Sequence, residues 1–303
     1  MHFDFHFIKL VATCDSLVYF EQIFFTMNKG FKSVFVAITG VLIIGLLSFG
    51  DKKEKESMVE ITTKFGVMKI KLYNETPLHR DNFLKLANEQ FFDSVLFHRV
   101  INQFMVQGGD PESKNAPEGS MLGNGGPGYD IPAEFVSGLY HKKGALAAAR
   151  EGDDINPDKK SSGSQFYIVQ GRVFDTAQLQ ALEIRRLQQY RSEEFKKYMN
   201  QPENKELLGT YMQAMQNGDR LTSSDIMNKA NPIIDERMAK YKYSEEQVEI
   251  YSTVGGTPHL DNSYTVFGEL VEGWDVLDSI ALVPVDRNSR PLEDVIMNVK
   301  VVD

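Results

Sequence analysis

Residues 95–111 constrain the fold of this chain more than any other segment. They read VLFHRVINQFMVQGGDP, apolar and β-branched at both ends, with Arg99 in the middle and a Gly-Gly-Asp-Pro turn at the end. β-branched and aromatic residues favour strands, and a turn of this kind would stop one. The segment therefore predicts a strand over residues 95–105 that presents one cation from an apolar surface.

The direction in which this cation points depends on the geometry of the strand. Side chains alternate along a strand, so a regular strand would place Arg99 and Phe104 on opposite faces. The mixed polarity of residues 101–103 is typical of a bulge, which would change the alternation. With the bulge, four side chains would converge on one site: Arg99, Phe104, Met105 and Gln107.

The composition supports a folded core and argues against several kinds of site. The chain has 303 residues, of which 42% are hydrophobic, and its formal net charge is −9. We expect no nucleic-acid partner, because a nucleic-acid backbone requires a basic surface. The single cysteine, Cys14, excludes an internal disulfide framework and a cysteine-rich zinc site. The histidines lack metal-binding spacing, so we expect no metal.

The N-terminal part predicts export. Residues 33–49, SVFVAITGVLIIGLLSF, form an uncharged apolar run that two lysines precede. Such a run is either a cleaved signal peptide or an uncleaved membrane anchor. Both alternatives place the rest of the chain outside the cytoplasm, in the periplasm, and an anchor would hold it at the inner membrane. We expect translation to begin at Met27, which makes residues 1–26 an upstream extension and residues 27–57 the signal or anchor with a charged linker.

Strand periodicity defines the two ends of the folded part. Residues 59–72 alternate apolar and polar around a central glycine, which predicts an opening β-hairpin. Residues 295–302, VIMNVKVV, predict a closing strand that pairs with this hairpin. Thr76-Pro77 predicts the start of a helix, because proline suits the first helical turn.

The period changes between residues 176 and 252, where the sequence is polar and helical in rhythm. Residues 244–247, SEEQ, predict a capping box at the start of one helix. We predict a helical insertion over residues 171–254, set inside a β domain. Two roles remain open for it, a helical embellishment packed on its own apolar stripe and an arm that binds a protein partner. The stripe consists of Leu207, Leu208, Tyr211, Met212 and Met215.

Four segments resemble the cyclophilin family of peptidyl-prolyl cis-trans isomerases, and they occur in the family's order. They are FHRVINQFMVQGGDP, GNGGPGYDIPAEF, GSQFYIV and YTVFGELVEGWDVLDSI, which begin at residues 97, 123, 163 and 264. The resemblance covers residues 58–170 and 255–303. It implies a mainly β fold, a closed eight-stranded antiparallel cyclophilin-like β-barrel capped by two helices, with the α-helical subdomain inserted. The N-terminal run points to a bacterial exported type.

The resemblance also implies which residues form the site. Arg99 matches the family's catalytic arginine, and Gln107 would orient both this arginine and the peptide carbonyl. The proline pocket of the family matches Phe104, Met105, Tyr167 and Leu260. The groove that holds the residues before proline matches Ala149, Arg150 and Gln165. The rim of the pocket matches His259 and Tyr264.

The chemistry of these residues agrees with the implied reaction. Rotation of an X-Pro amide crosses a barrier of about 20 kcal/mol because resonance keeps the C–N bond planar. Twisting the bond leaves a lone pair on the proline nitrogen, to which Arg99 could donate only in the twisted state. The reaction needs no cofactor, metal or nucleophile. The alternatives are that Arg99 is a strand-face cation paired with a carboxylate and that the pocket residues are ordinary core.

Four positions depart from the family's usual pattern. His259 stands where many members have tryptophan, and Tyr264 stands where many have histidine. Arg150 replaces a common asparagine, and Tyr167 replaces a common phenylalanine. These differences would change the rim and wall of the pocket and leave its arginine intact.

Two functions follow from the sequence. The first is an enzyme, an exported peptidyl-prolyl cis-trans isomerase that acts on proline-containing peptides and unfolded exported proteins. The second is a chaperone module that binds proline-containing segments with incidental turnover and makes its main contacts through the helical insertion. The set of Arg99, Phe104, Met105 and Gln107 favours the enzyme.

Overall fold

The computed structural model of the protein describes residues 56–302. The predicted upstream extension, signal or anchor and nearly all of the charged linker lie outside the described residues. Within the described range, no helix is both long enough and apolar enough to span a membrane.

The described part opens with the predicted hairpin. Strand β1 (Met58–Thr63) pairs antiparallel with strand β2 (Gly66–Leu72). Alternate side chains point inward, and Ile61 and Ile70 are fully buried. Helix α1 (Pro77–Asn88) follows, with proline in its first turn as predicted.

The remaining elements of residues 56–302 follow in chain order. The strands are β3 (Val95–Leu96), β4 (Arg99–Ile101), β5 (Met105–Gly108), β6 (Asp130–Ile131), β7 (Ala145–Ala148), β8 (Ser161–Ser162), β9 (Phe166–Val169), β10 (Val266–Glu272) and β11 (Ile296–Val302). The helices after α1 are α2 (Thr176–Met199), α3 (Lys205–Asn217), α4 (Arg220–Met238), α5 (Glu245–Thr253) and α6 (Trp274–Ala281).

Nine strands form one sheet in the order β3-β11-β1-β2-β10-β7-β9-β5-β4. All of its ladders are antiparallel. The two end strands, β3 and β4, are separated in the chain by only Phe97 and His98. The sheet therefore has to curl until its two edges come close together. The closing strand β11 pairs with β1 as predicted, with Val301 opposite Val59.

The sheet differs from the predicted closed barrel of eight strands. Nine strands pair, and no ladder joins β3 to β4 among residues 56–302. The outer edge of β4 bonds elsewhere, since the amide of Val100 donates to the carbonyl of Ser289 at 2.8 Å. The antiparallel β fold with packed helices is confirmed, and full closure stays a prediction.

Residues 95–105 do not form the single strand that the sequence predicts. They divide into β3, β4 and the start of β5, and the chain reverses between Ile101 and Met105, which face each other across the ladder. Gln103 takes a left-handed φ of 60° in this turn. A hairpin turn stands where a bulge was predicted, because the residues between Ile101 and Met105 leave the ladder altogether.

The hydrophobic core lies between the curled sheet and helices α1 and α6. Phe83 of α1 stacks on Phe92 with ring centroids 4.9 Å apart and meets Phe166 edge-on at 5.3 Å. Phe166 belongs to this core, whereas the next residue, Tyr167, belongs to a separate apolar cluster. Because strand side chains alternate, core packing on one face of β9 also fixes the outer face.

Helices α2 to α5 form a unit that we call the helical segment, residues 176–253. Helix α2 begins with a capping box made by Asp175 and Gln178, and α5 begins with the predicted box made by Ser244 and Gln247. Each box satisfies backbone amides that the first helical turn leaves without partners. The predicted limits of the insertion, residues 171–254, stay a prediction.

The apolar stripe predicted on α3 is only partly covered. The small core of the helical segment instead centres on Ala230, Ile234 and Met238 of α4. Met212 and Met215 of α3 are 52% and 57% exposed. Leu207, Leu208 and Tyr211 are half-buried, so part of the stripe is packed while α3 leaves methionine side chains at the surface, and the choice between the two predicted roles stays open.

The stability of the fold should depend on pH through His98, which lies between β3 and β4. Burial lowers the pKa of His98 from 6.5 to about 4, and the charge of Arg99 adds to this effect while that of Asp110 opposes it. As pH falls, His98 therefore becomes protonated near pH 6.5 in the unfolded chain and only near pH 4 in the folded chain. Folding free energy is lost as pH falls through this window, by about 3 kcal/mol from this residue.

We expect His98→Phe to remove this part of the pH dependence. Urea unfolding of both proteins at pH 7.5, 5.5 and 4 measures it, with circular dichroism at pH 7.5 as the control for folding. The wild-type protein should lose about 3 kcal/mol more than the variant over this range. Equal losses in the two proteins would show that His98 does not titrate as described.

Candidate active site

The β4–β5 hairpin places Arg99 directly opposite Gln107. Nη1 of Arg99 donates to Oε1 of Gln107 at 3.1 Å, and the same nitrogen lies 3.9 Å from Sδ of Met105. Both polar side chains are half-buried. Among residues 56–302 no carboxylate forms a salt bridge with Arg99, so the alternative of a strand-face ion pair is not realised there. Its charge remains available to a bound molecule.

A second glutamine fixes the first. Nε2 of Gln107 donates to Oε1 of Gln165 at 3.2 Å. Nε2 of Gln165 in turn donates to the carbonyls of Gly123 and Gly125 at 2.9 and 2.8 Å. We call this chain, from Arg99 through Gln107 and Gln165 to the two glycine carbonyls, the glutamine relay. Because each amide uses its oxygen on one side and its nitrogen on the other, the relay sets the orientation of the guanidinium.

The loop at the end of the relay is held closely against the sheet. A Cβ atom added to Gly125 would lie 2.1 Å from Oδ1 of Asp110, so only glycine fits there. Asp110 is fully buried and also accepts the amide hydrogen of Gly123. The carbonyls that receive Gln165 are therefore fixed in position by packing as well as by hydrogen bonds.

A small cavity of about 100 Å³ lies beside Arg99. An apolar cavity of roughly 150 Å³ holds a benzene molecule, so this one has the size for a five-membered ring. Nine residues line it: Arg99, Phe104, Met105, Gln107, Ala149, Arg150, Tyr167, Leu260 and Tyr264. All nine belong to the set predicted from the sequence, and the structure brings them together from four stretches of the chain, residues 99–107, 149–150, 167 and 260–264.

The walls of this cavity are mostly apolar and firmly packed. Met105, Tyr167 and Leu260 are at least nine-tenths buried. Phe104, from the β4–β5 turn, is half-buried, and the ring of His259 stacks on it with centroids 5.6 Å apart. His259 therefore supports the wall from outside the cavity, whereas the sequence predicted only that it lies on the rim.

The second cation at the cavity is neutralised by its neighbours. Arg150 forms a salt bridge with Asp153 at 2.7 Å, and its Nε donates to the carbonyl of Ser263 at 2.7 Å. Its guanidinium also lies over the ring of Tyr264, 4.5 Å from the centroid. Arg150 and Tyr264 thus form a paired rim, and Arg99 is the cation that remains for chemistry in this cavity.

A larger groove of about 710 Å³ continues from the cavity. The two spaces share Gln107, Ala149 and Arg150, and Gln165 lines the groove. Its other side is formed by the glycine-rich loop that receives the relay and by residues 155–158. An extended peptide with one ring in the cavity could therefore lay its preceding residues along the groove.

Sequence reasoning missed the partners of Tyr167. Its hydroxyl lies 3.0 Å from Nε2 of His141, which in turn contacts Asp261. Burial raises the pKa of the Tyr167 hydroxyl well above its usual value, so this group stays protonated. A buried tyrosine hydroxyl needs a hydrogen-bond partner, and tyrosine in place of phenylalanine was the signal that one must exist.

The sequence of this chain is similar to those of known proteins. The sequence pattern of the cyclophilin type peptidyl-prolyl cis-trans isomerase/CLD family matches residues 58–181 and 227–301, more than half of the chain. A Streptococcus pyogenes protein whose name joins a phosphatase to a peptidyl-prolyl cis-trans isomerase is 30% identical over 79% of this chain. The match spans only 37% of that protein's length.

Two further proteins are similar over most of their length. A Staphylococcus epidermidis protein named a peptidyl-prolyl cis-trans isomerase is 28% identical over 81% of this chain and 91% of its own length. A solved cyclophilin type peptidyl-prolyl cis-trans isomerase of Cryptosporidium parvum aligns with a TM-score of 0.46 and 19% identity over 82% of this chain and 99% of its own. The family match confirms the resemblance and the enzyme class predicted from the sequence. The chain belongs to the cyclophilin type peptidyl-prolyl cis-trans isomerase family.

Proposed function

We propose that this protein accelerates cis-trans isomerisation of X-Pro bonds in exported proteins as they fold, with Arg99 as the catalytic residue. The observation that carries this proposal is the position of Arg99 at a ring-sized cavity, held by Gln107 at 3.1 Å. The proline ring occupies the cavity between Phe104, Met105 and Leu260. The residues before proline lie in the groove beside Ala149, Arg150 and Gln165.

The mechanism requires a donor that acts only when the amide is twisted. In the planar amide the nitrogen lone pair is delocalised and accepts no hydrogen bond, whereas in the twisted amide it is localised. Arg99 is always protonated and its donors lie in a rigid plane, so it stabilises the twisted state without a proton transfer. The glutamine relay keeps the guanidinium oriented before substrate arrives, which removes a reorganisation cost from the reaction.

The cavity walls separate the fixed and the rotating halves of the substrate. Met105 and Leu260 are buried and hold the ring, while the groove is open enough for the acyl side to turn. The site lies at the surface, so segments of a larger unfolded protein can reach it. We further propose that the substrates are met outside the cytoplasm, which the apolar run of residues 33–49 supports.

Removing the guanidinium should abolish most of the activity. We expect Arg99→Ala to lower kcat/KM in a protease-coupled proline-tetrapeptide assay by about 100-fold or more, since loss of one preorganised donor costs roughly 10²–10³ in rate. The matched control is Arg185→Ala, which removes an exposed arginine from α2. Thermal unfolding should show that both variants are folded. If Arg99→Ala then turned over substrate at the wild-type rate, the arginine mechanism would be refuted.

A second candidate function rests on an apolar groove in the helical segment. Helices α2, α3 and α4 line this groove, which has a volume of about 430 Å³. Its apolar lining consists of Phe195, Met199, Leu208, Tyr211, Met212, Met227 and Ile234. Methionine side chains are flexible and polarisable, so a surface rich in them adapts to many apolar partners. We propose that this groove binds apolar segments of unfolded client proteins.

A charge placed in this groove should impair client binding. We expect Met212→Lys to weaken suppression of heat-induced aggregation of citrate synthase, because a lysine there has to be desolvated by an apolar client. The matched control is Leu221→Lys, which adds the same charge at an α4 position that is 82% exposed and outside the groove lining. Equal suppression by both variants, or no suppression by the wild-type protein, would rule out a chaperone role for the groove.

A further inference from the structure

A buried chain of hydrogen bonds runs from the proline cavity to helix α5. The hydroxyl of Tyr167 lies 3.0 Å from Nε2 of His141, and Nδ1 of His141 lies 3.0 Å from Oδ1 of Asp261. On its other oxygen, Asp261 accepts from Tyr251 at 2.7 Å and from Gln247 at 2.8 Å. All five side chains are more than nine-tenths buried. We call this set the tyrosine network.

The protonation of the network follows from the charge of Asp261. Burial by itself raises the pKa of this carboxyl, but hydrogen bonds and charge from His141, together with the hydrogen bond from Tyr251, hold the pKa below its usual value. A carboxylate only accepts, so Nδ1 of His141 carries a hydrogen. The hydroxyl of Tyr167 can donate to Nε2 of a neutral ring or accept from a charged one, so it is bonded to His141 in either case. Each bond therefore fixes the orientation of the next group.

The tyrosine network joins the cavity wall to α5 through the short segment of residues 254–261, which follows α5. Asp261 directly follows Leu260, which lines the cavity, and the backbone amide of His141 also donates to Asp261 at 2.9 Å. This segment contains Gly256, where an added Cβ would stand 2.2 Å from the carbonyl oxygen of His141. The close approach therefore requires glycine. The backbone just after α5 therefore packs directly on the backbone of His141.

The ring of Tyr167 packs on the same residue that its hydroxyl contacts, since it stacks on the ring of His141 with centroids 6.0 Å apart. It packs edge-on against Tyr264 with centroids 5.9 Å apart, and it belongs to an apolar cluster with Met105, Ala147 and Leu260. If Asp261 or α5 shifted, either the hydroxyl of Tyr167 would lose its hydrogen bond to His141 or the ring of Tyr167 would follow. An unpaired buried hydroxyl is costly, so displacement of the ring is the expected response.

We propose that His141 and Asp261 are positioning residues that set the place of Tyr167 in the proline cavity and make it depend on helix α5 of the helical segment. This inference rests on the proposed isomerase function. It gives α5 a part in the reaction although none of its residues lines the cavity. The hydroxyl of Tyr167 is the connection, since a phenylalanine ring there would have no bond to His141.

A double-mutant cycle tests this connection. We expect Asp261→Asn to lower kcat/KM for a proline tetrapeptide by about tenfold, because small displacements of a positioned group cost up to roughly 10²-fold in rate. In the Tyr167→Phe background the same Asp261→Asn change should lower kcat/KM by less than about twofold, since the hydroxyl that transmits it is gone. The activity of the double variant is compared with that of Tyr167→Phe alone. Equal fold-changes in the two backgrounds would overturn the inference.

A second measurement makes the test independent of turnover. Carbon-13 labelling of tyrosine rings reports the surroundings of Tyr167 by NMR, and Tyr190, stacked on Tyr241 at 4.0 Å in the helical segment, is the internal control. Asp261→Asn should shift the Tyr167 ring signals and leave those of Tyr190 in place. If the wild-type protein were inactive, the proposed function would fail while this arm still decides whether Asp261 positions Tyr167. Unshifted Tyr167 signals would overturn the inference.

A milder variant tests the same connection if Asp261→Asn does not fold. Tyr251→Phe removes one donor to Oδ2 of Asp261 and keeps the carboxylate and its bonds to His141. We expect kcat/KM to fall by about threefold, and not to fall in the Tyr167→Phe background. A loss of equal size in both backgrounds would show that α5 only stabilises the fold.

Discussion

The hydrogen bond between Arg99 and Gln107 across the β4–β5 hairpin is the interaction on which the site depends. A free arginine side chain on a strand would sample many orientations, and a guanidinium that must first be ordered contributes less to a reaction. In this protein the amide of Gln107 is held by Gln165, and Gln165 is held by two glycine carbonyls that are themselves fixed against buried Asp110. The fixed position of the glycine-rich loop thus orients Gln165, which orients Gln107, which in turn orients the guanidinium at the cavity.

Curling of the sheet gives this hairpin its partners. The core side chains of β5, β7 and β9 point inward, and Met105, Ala147 and Tyr167 on the alternate positions form the outer apolar cluster. Leu260 reaches the same cluster from a part of the chain beyond the helical segment. The cavity beside Arg99 therefore exists only when strands far apart in sequence have paired. The helical segment is also connected to the cavity, because Asp261 accepts hydrogen bonds from both α5 and His141.

The sequence predicted the site better than it predicted the local structure that builds it. The candidate residues could be found because their types match a motif and a reaction that requires a fixed cation beside an apolar pocket. The β4–β5 turn was mistaken for a bulge because it contains no glycine or proline, and Gln103 adopts a positive φ without such a signal.

The tyrosine network and the exposed methionines of α3 could not be read from sequence order. His141 and Asp261 lie 120 residues apart, and their contact depends on how α5 packs beside the sheet. The spacing of Met212 and Met215 indicates an apolar face, but whether a face is covered depends on which helix lies opposite it. Both cases were decided by tertiary packing, which periodicity does not contain.

We propose that Arg99 stabilises the twisted amide and contributes little to binding of the planar substrate. Two-dimensional exchange NMR with an alanine–proline peptide separates these effects, since chemical-shift titration gives Kd and exchange peaks give the cis-trans rate on the protein. For Arg99→Ala we expect a Kd within about twofold of wild type and an exchange rate about 100-fold lower. A rate that stays near wild type, or a Kd that rises enough to explain the whole loss of activity, would contradict this proposal.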